Sequence, residues 1–167
     1  EPFWASVGTA VQWLKGEPGI FSLMLFLAAI NLVASMYNAA FPAMMLSRAG
    51  GGERAMGLVN AVIGGATLAG SLAASLMKAP KSRVRVILNS LLFAMCSENF
   101  LLAFGESAPV WCLGAVLGWL AIPLMNTNLD ALTRSRIPLD MQGRVYAIRN
   151  ALQFFTIPLG YLAGGFL

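Results

Sequence analysis

Five long apolar runs set between charge clusters constrain this chain more than any other feature of it. Crossing a hydrocarbon core of roughly 30 Å takes about 20 mainly apolar residues in a helix. Runs of that length cover residues 20–46, 55–77, 86–105, 109–132 and 145–167. Lipid offers backbone amides no hydrogen-bond partner, and the period-2 alternation of a barrel is absent, so the expectation is an all-α, polytopic transmembrane helix bundle. Composition agrees: with 58% hydrophobic and 11% charged residues, the chain has too little polar surface to cover a soluble globule.

The formal charge of +4 is distributed as a topology signal rather than as a nucleic-acid patch. Lys15 precedes the first run, Lys78, Lys81, Arg83 and Arg85 follow the second, and Arg134, Arg136, Arg144 and Arg149 flank the connection between the fourth and fifth. Only Arg48 and Arg54 fall in the alternate loop. The imbalance places the N-terminus and the loops at 78–85 and 133–144 in the cytoplasm. Residues 1–19 form an amphipathic cytoplasmic linker, in which Phe3, Trp4, Val7, Val11 and Leu14 recur at helical spacing before Gly16 and Pro18 end the segment. The chain begins at Glu1, and an odd number of spans would leave its ends on opposite sides, so the reading expects a piece of a longer protein with at least one further span. The triple glycine at 50–52 reads as a flexible external turn.

Small residues four apart mark faces where helix backbones approach closely in lipid. Gly114 and Gly118, Gly160 and Gly164, and Ala66, Gly70 and Ala74 make three such stripes, read as packing within the chain. Pro42, Pro123 and Pro158 fall in or near spans, where each removes a backbone donor and bends or breaks its helix.

Polar side chains inside the runs carry what functional signal there is. Asn31, Ser35 and Asn38 share one face of the first run, either for hydrogen bonds between helices or along a substrate path. Trp119, Pro123, Asn126, Asp130 and Arg134 descend one face of the fourth, and Asp130 stands in the favourable orientation for an ion pair with Arg134. The rival reading makes Asp130 a proton-coupling group. Glu98 has no basic neighbour in sequence and lies roughly 20 Å along its helix from the cytoplasmic end. A carboxyl at that depth is costly to ionise, and proton-coupled carriers use such groups. The plainer alternative is a neutral carboxyl bonded to a neighbour or reaching the external headgroups. With no histidine, no nucleophile beside a base and no metal-ligand spacing around Cys96 and Cys112, the sequence points to no enzyme, cofactor or metal.

The stretch "NTNLDALTRSRIPLDMQGRVYAIRNALQFFTIPLGYLAGG" resembles the tenth and eleventh helices, with their cytoplasmic connection, of a major facilitator superfamily transporter. The similarity is greatest to the macrolide-efflux and enterobactin-exporter-like branch, through Ile137, Pro138, Gly143, Arg144, Val145, Pro158, Leu159 and Gly160. Extended over the whole chain, it covers a central linker and helices seven to eleven of the C-terminal half. The loop "MKAPKSRVR" departs from the superfamily's Gly–Asp–Arg-rich motif, keeping Arg83 and Arg85 without an acid or a glycine.

The resemblance implies a secondary active transporter of a bacterial inner membrane, exporting hydrophobic or amphiphilic small molecules in exchange for protons by alternating access. Its partners would be the bilayer, a small-molecule substrate, protons and an N-terminal half of the same fold. Asn31, Ser35, Asn38, Trp119 and Asn126 would face the substrate cavity, Glu98 and Asp130 would be the proton-coupling candidates, and Arg83, Arg85, Arg134, Pro138, Gly143 and Arg144 would form a cytoplasmic gate or hinge. In that hinge Gly143 allows a tight turn and Arg144 opens the next helix. The rivals are an inward symporter of the same fold and a non-transporting membrane scaffold or sensor.

Overall fold

The computed structural model describes residues 3–166, with side chains from residue 7 onward. Phe3 and Trp4 of the expected linker face therefore lie outside the described side chains. Six helices make up the chain: α1 (Phe3–Gly16), α2 (Pro18–Ser47), α3 (Glu53–Leu76), α4 (Arg83–Phe104), α5 (Ala108–Arg136) and α6 (Leu139–Gly165). Among the described residues there is no strand, so the all-α expectation holds. Helices α2, α3, α4 and α5 are each long and apolar enough to cross a membrane. The fifth expected run lies in α6, which is long enough but carries Asp140, Arg144, Arg149, Asn150 and Gln153 along its first half.

Local chemistry explains most of the boundaries. Glu17 is the single non-helical residue between α1 and α2, and Pro18 opens α2, where its fixed φ suits a helix start and its missing N–H is not needed. Ser82 caps α4, its hydroxyl accepting from the Arg85 amide at 3.5 Å. Pro138, at φ −55° and ψ 146°, precedes α6, and its carbonyl takes the amides of Met141 and Gln142, both at 3.0 Å.

That start corrects the expected hinge. Gly143 is not in a turn but in the second turn of α6, with nothing within 4 Å of where a Cβ would lie. Arg144 is likewise inside the helix rather than at its opening. The break is only Ile137 and Pro138, because proline biases the residue before it away from the helical region. Gln142 spans the break, its Nε2 donating to Ile137 O at 3.2 Å and Arg134 O at 3.3 Å.

The chain divides into two compact units, residues 1–43 with 133–167, and residues 44–132. In the first, Ala10, Leu14, Ile20, Met24, Ile137, Met141 and Val145 form a buried core, against which Trp13, Ile148 and Leu152 pack. Helix α1 rests on α6. Its inward face is Ala10 and Leu14 with Trp13, while Val11, expected on the apolar face, is exposed. Further along, α6 meets α2 at its two small residues. A Cβ on Gly160 would run into the Leu32 carbonyl and lie 2.6 Å from Ser35 Cβ, and one on Gly164 would meet the Met36 carbonyl.

In the second unit, α3 buries Ala55, Val59, Ala66, Gly70 and Ala74 along one face. Gly70 lets the Leu120 carbonyl of α5 come into contact with it. The opposite face presents Leu68, Leu72 and Leu76, which are 74%, 63% and 77% exposed, as a helix bordered by lipid requires. The glycine turn between α2 and α3 is tightly specified. Gly50 and Gly52 have φ of +81° and +114°, in the region that favours glycine, and a Cβ on Gly51 would strike the Met45 carbonyl. The turn is closed by Gly51 N to Arg48 O at 2.9 Å and Gly52 N to Met45 O at 2.8 Å.

If close backbone approach sets the α2–α6 contact, Gly160→Ala lowers stability by about 1–3 kcal/mol. Gly64→Ala, where nothing lies within 4 Å, leaves it unchanged or raises it. Denaturant unfolding in detergent, followed by helical circular dichroism, checks the pair.

Candidate functional site

Glu98 belongs to the buried face of α4, which also carries Ala94 one turn before it and Leu102 one turn after. Only 7% of the residue is exposed. What makes room for a carboxyl there is the glycine stripe of α5. A Cβ on Gly118 would lie 2.5 Å from Glu98 Oε2 and 2.8 Å from Glu98 Cβ, and one on Gly114 would lie 3.0 Å from Leu101 Cβ. Trp119, next to that glycine, donates its indole N–H to Glu98 Oε1 at 2.8 Å. One GxxxG face therefore serves two purposes: it brings α4 and α5 together and it houses an acid in a helix of spanning length. Pro123, one turn on, lacks the N–H that would otherwise bond to the Trp119 carbonyl.

The α4–α5 connection just beyond is held by one cation and one indole. Arg48 Nη1 donates to Leu102 O at 2.8 Å and Gly105 O at 3.0 Å, satisfying carbonyls that the end of α4 leaves open. Trp111, fully buried, donates to the same Gly105 oxygen at 2.9 Å. Sequence reasoning read Arg48 only as a minority charge in the topology count and did not single out Trp111. The available signal was position: a basic residue just after one helix, facing a glycine that ends another.

The remaining sequence-derived residues are dispersed. Ser35 is buried against Gly160, and its hydroxyl donates to the Asn31 carbonyl at 2.7 Å. Asn31 Nδ2 donates to Leu27 O at 2.9 Å, and Asn38 is exposed. The Asn31 and Ser35 donors are thus satisfied by their own helix rather than across to a neighbour. Asn126 is exposed, whereas Asn128, two residues on and not singled out from sequence, is 4% exposed and donates to Leu124 O at 2.9 Å. Asp130 is half-buried and has interactions of its own, while Arg134 is exposed near the end of α5. Arg83 and Arg144 are half-buried; Arg85, Pro138 and Gly143 are exposed. The structure joins Glu98 with Trp119, and Asn31 with Ser35, while Asp130 and Arg144 each have interactions of their own. Cys96 is exposed and Cys112 half-buried, both as free thiols. Among the described residues, no group of three histidines, cysteines or acids could hold a metal.

No protein-family model, curated protein or solved structure matches the chain. What can be argued about its chemistry rests on this geometry. The Glu98–Trp119 pair can hold a carboxyl in either protonation state, because an indole N–H finds an acceptor oxygen in both.

Replacing Arg48 by Met leaves the Leu102 and Gly105 carbonyls without their charged donor and costs about 2 kcal/mol of stability. Arg54→Met, on an exposed side chain, costs little. Denaturant midpoints of the two variants in the same detergent provide the comparison.

Proposed function

We propose that the chain is part of a secondary active transporter that moves hydrophobic or amphiphilic small molecules outward in exchange for protons, by alternating access. The observation that carries the reading is Glu98: an acid 7% exposed within an apolar helix of spanning length, seated on Gly118 and bonded to Trp119. Intramembrane acids are costly to hold and are functional by default. Its indole partner keeps a hydrogen bond through proton uptake and release, as a coupling group requires. The resemblance of the segment around Gly143, Arg144 and Pro158 to major facilitator exporters supports the same reading. With it come a bacterial inner membrane, a cytoplasmic N-terminus and an N-terminal half that completes a midplane site.

A second reading, a non-transporting membrane scaffold, draws on the back-bonded Asn31 and Ser35, whose donors serve their own helix. Flux separates the two. In proteoliposomes holding the full-length protein that contains this chain, with the membrane potential clamped, an acid lumen drives a permanently charged lipophilic dye inward if the coupling is antiport. An acid exterior drives it inward if the coupling is symport. Glu98→Gln, which keeps shape and an acceptor for Trp119, abolishes the gradient dependence while downhill exchange persists. Transport with an unchanged gradient dependence removes Glu98 from the coupling role, and no flux under any gradient favours the scaffold.

A further inference from the structure

The second unit has a cavity of about 290 Å³ where α3 ends and α4 begins. Two cations, Lys78 and Arg83, line it, together with the hydroxyl residues Ser75 and Thr127 and the amide of Asn128. Its apolar part includes Met77, Val86 and Leu124, and no acid lines it. Among the described residues neither cation has a hydrogen-bond or ion-pair partner, whereas Arg48, before the other end of α3, donates from Nη1 to two carbonyls. Asn128 is the second, independent mark of a built site. It is 96% removed from solvent by its 4% exposure, and it meets one of its own donors through Leu124 O, which leaves further amide capacity beside the cavity.

We propose that this cavity binds the phosphate headgroup of an anionic phospholipid. Both helices that frame it reach spanning length, so their ends at Leu76 and Arg83 lie where acyl chains give way to headgroups. A phosphodiester there receives charge-assisted hydrogen bonds from Lys78 and Arg83, with Thr127 and Asn128 available to its remaining oxygens. The exposed Leu76 and Met77 beside it offer apolar surface to the lipid tails. Basic pockets between spanning helices select anionic lipids in this way, and the exposed Lys81 on the connection and Arg85 in the first turn of α4 add to the local attraction. The proposal requires only that the chain lies in a bilayer and does not rest on the transport reading.

Native mass spectrometry of the full chain released from mixed micelles tests it. With equal phosphatidylglycerol and phosphatidylcholine, the expected result is one phosphatidylglycerol retained in preference. The double variant Lys78→Gln, Arg83→Gln weakens that retention about tenfold. The charge-preserving double variant Lys78→Arg, Arg83→Lys keeps most of it, Arg54→Gln leaves it untouched, and circular dichroism shows each variant helical. Equal retention of the two lipids, or a double Gln variant that binds as wild type, overturns the proposal. Displacement of the lipid by an equal concentration of inorganic phosphate also overturns it, by making the cavity a site for a free anion.

Discussion

A hydrocarbon medium leaves no water to satisfy a polar atom, and the hydrogen bonding of the spanning helices answers to that constraint. Backbone amides close on themselves in six helices. Side chains follow the same rule: Asn31, Ser35, Thr67, Ser71, Ser97, Asn99 and Asn128 each donate to a carbonyl one turn back in their own helix. Where a helix ends, the open carbonyls are met from outside, as Arg48 and Trp111 meet those of Leu102 and Gly105. Polar residues in such a chain are therefore poor guides to function until their partners are known.

Glu98 takes its hydrogen bond from a neighbouring helix instead. Its carboxyl oxygen accepts rather than donates and so finds no free N–H on its own helix, where a serine O–H finds a carbonyl, and α5 supplies both the space, at Gly118, and the donor, at Trp119. The same glycines set how near α4 and α5 come together, so the packing of the pair and the environment of the acid cannot be altered separately. A substitution at Gly118 acts on both, which is why Glu98→Gln is the cleaner probe of chemistry.

Glycine has two further roles whose physical causes differ. At Gly50 and Gly52 the requirement is a backbone with positive φ, and at Gly51, Gly70, Gly160 and Gly164 it is the approach of a carbonyl from elsewhere. Gly143, which the sequence pattern marked as a turn, meets neither requirement and sits in a helix. Spacing identified the packing glycines at 160 and 164 because a period of four keeps residues on one face. A lone glycine near a proline has no such signature.

Hydropathy and charge by themselves determined that this chain is an all-α membrane bundle, and the spans now in α2 to α5 were legible because about 20 apolar residues in a row have few other solutions. Its punctuation at Pro18 and Pro138 was legible for an equally local reason, the fixed geometry of proline. Tertiary structure decided the rest. That α1 presents Ala10 rather than Val11, that Ser35 packs on Gly160, and that Glu98 finds Trp119 are facts about which faces meet. Periodicity places residues on a helix face; only packing against a particular neighbour determines whether that face meets lipid, a glycine groove or a hydrogen-bond donor.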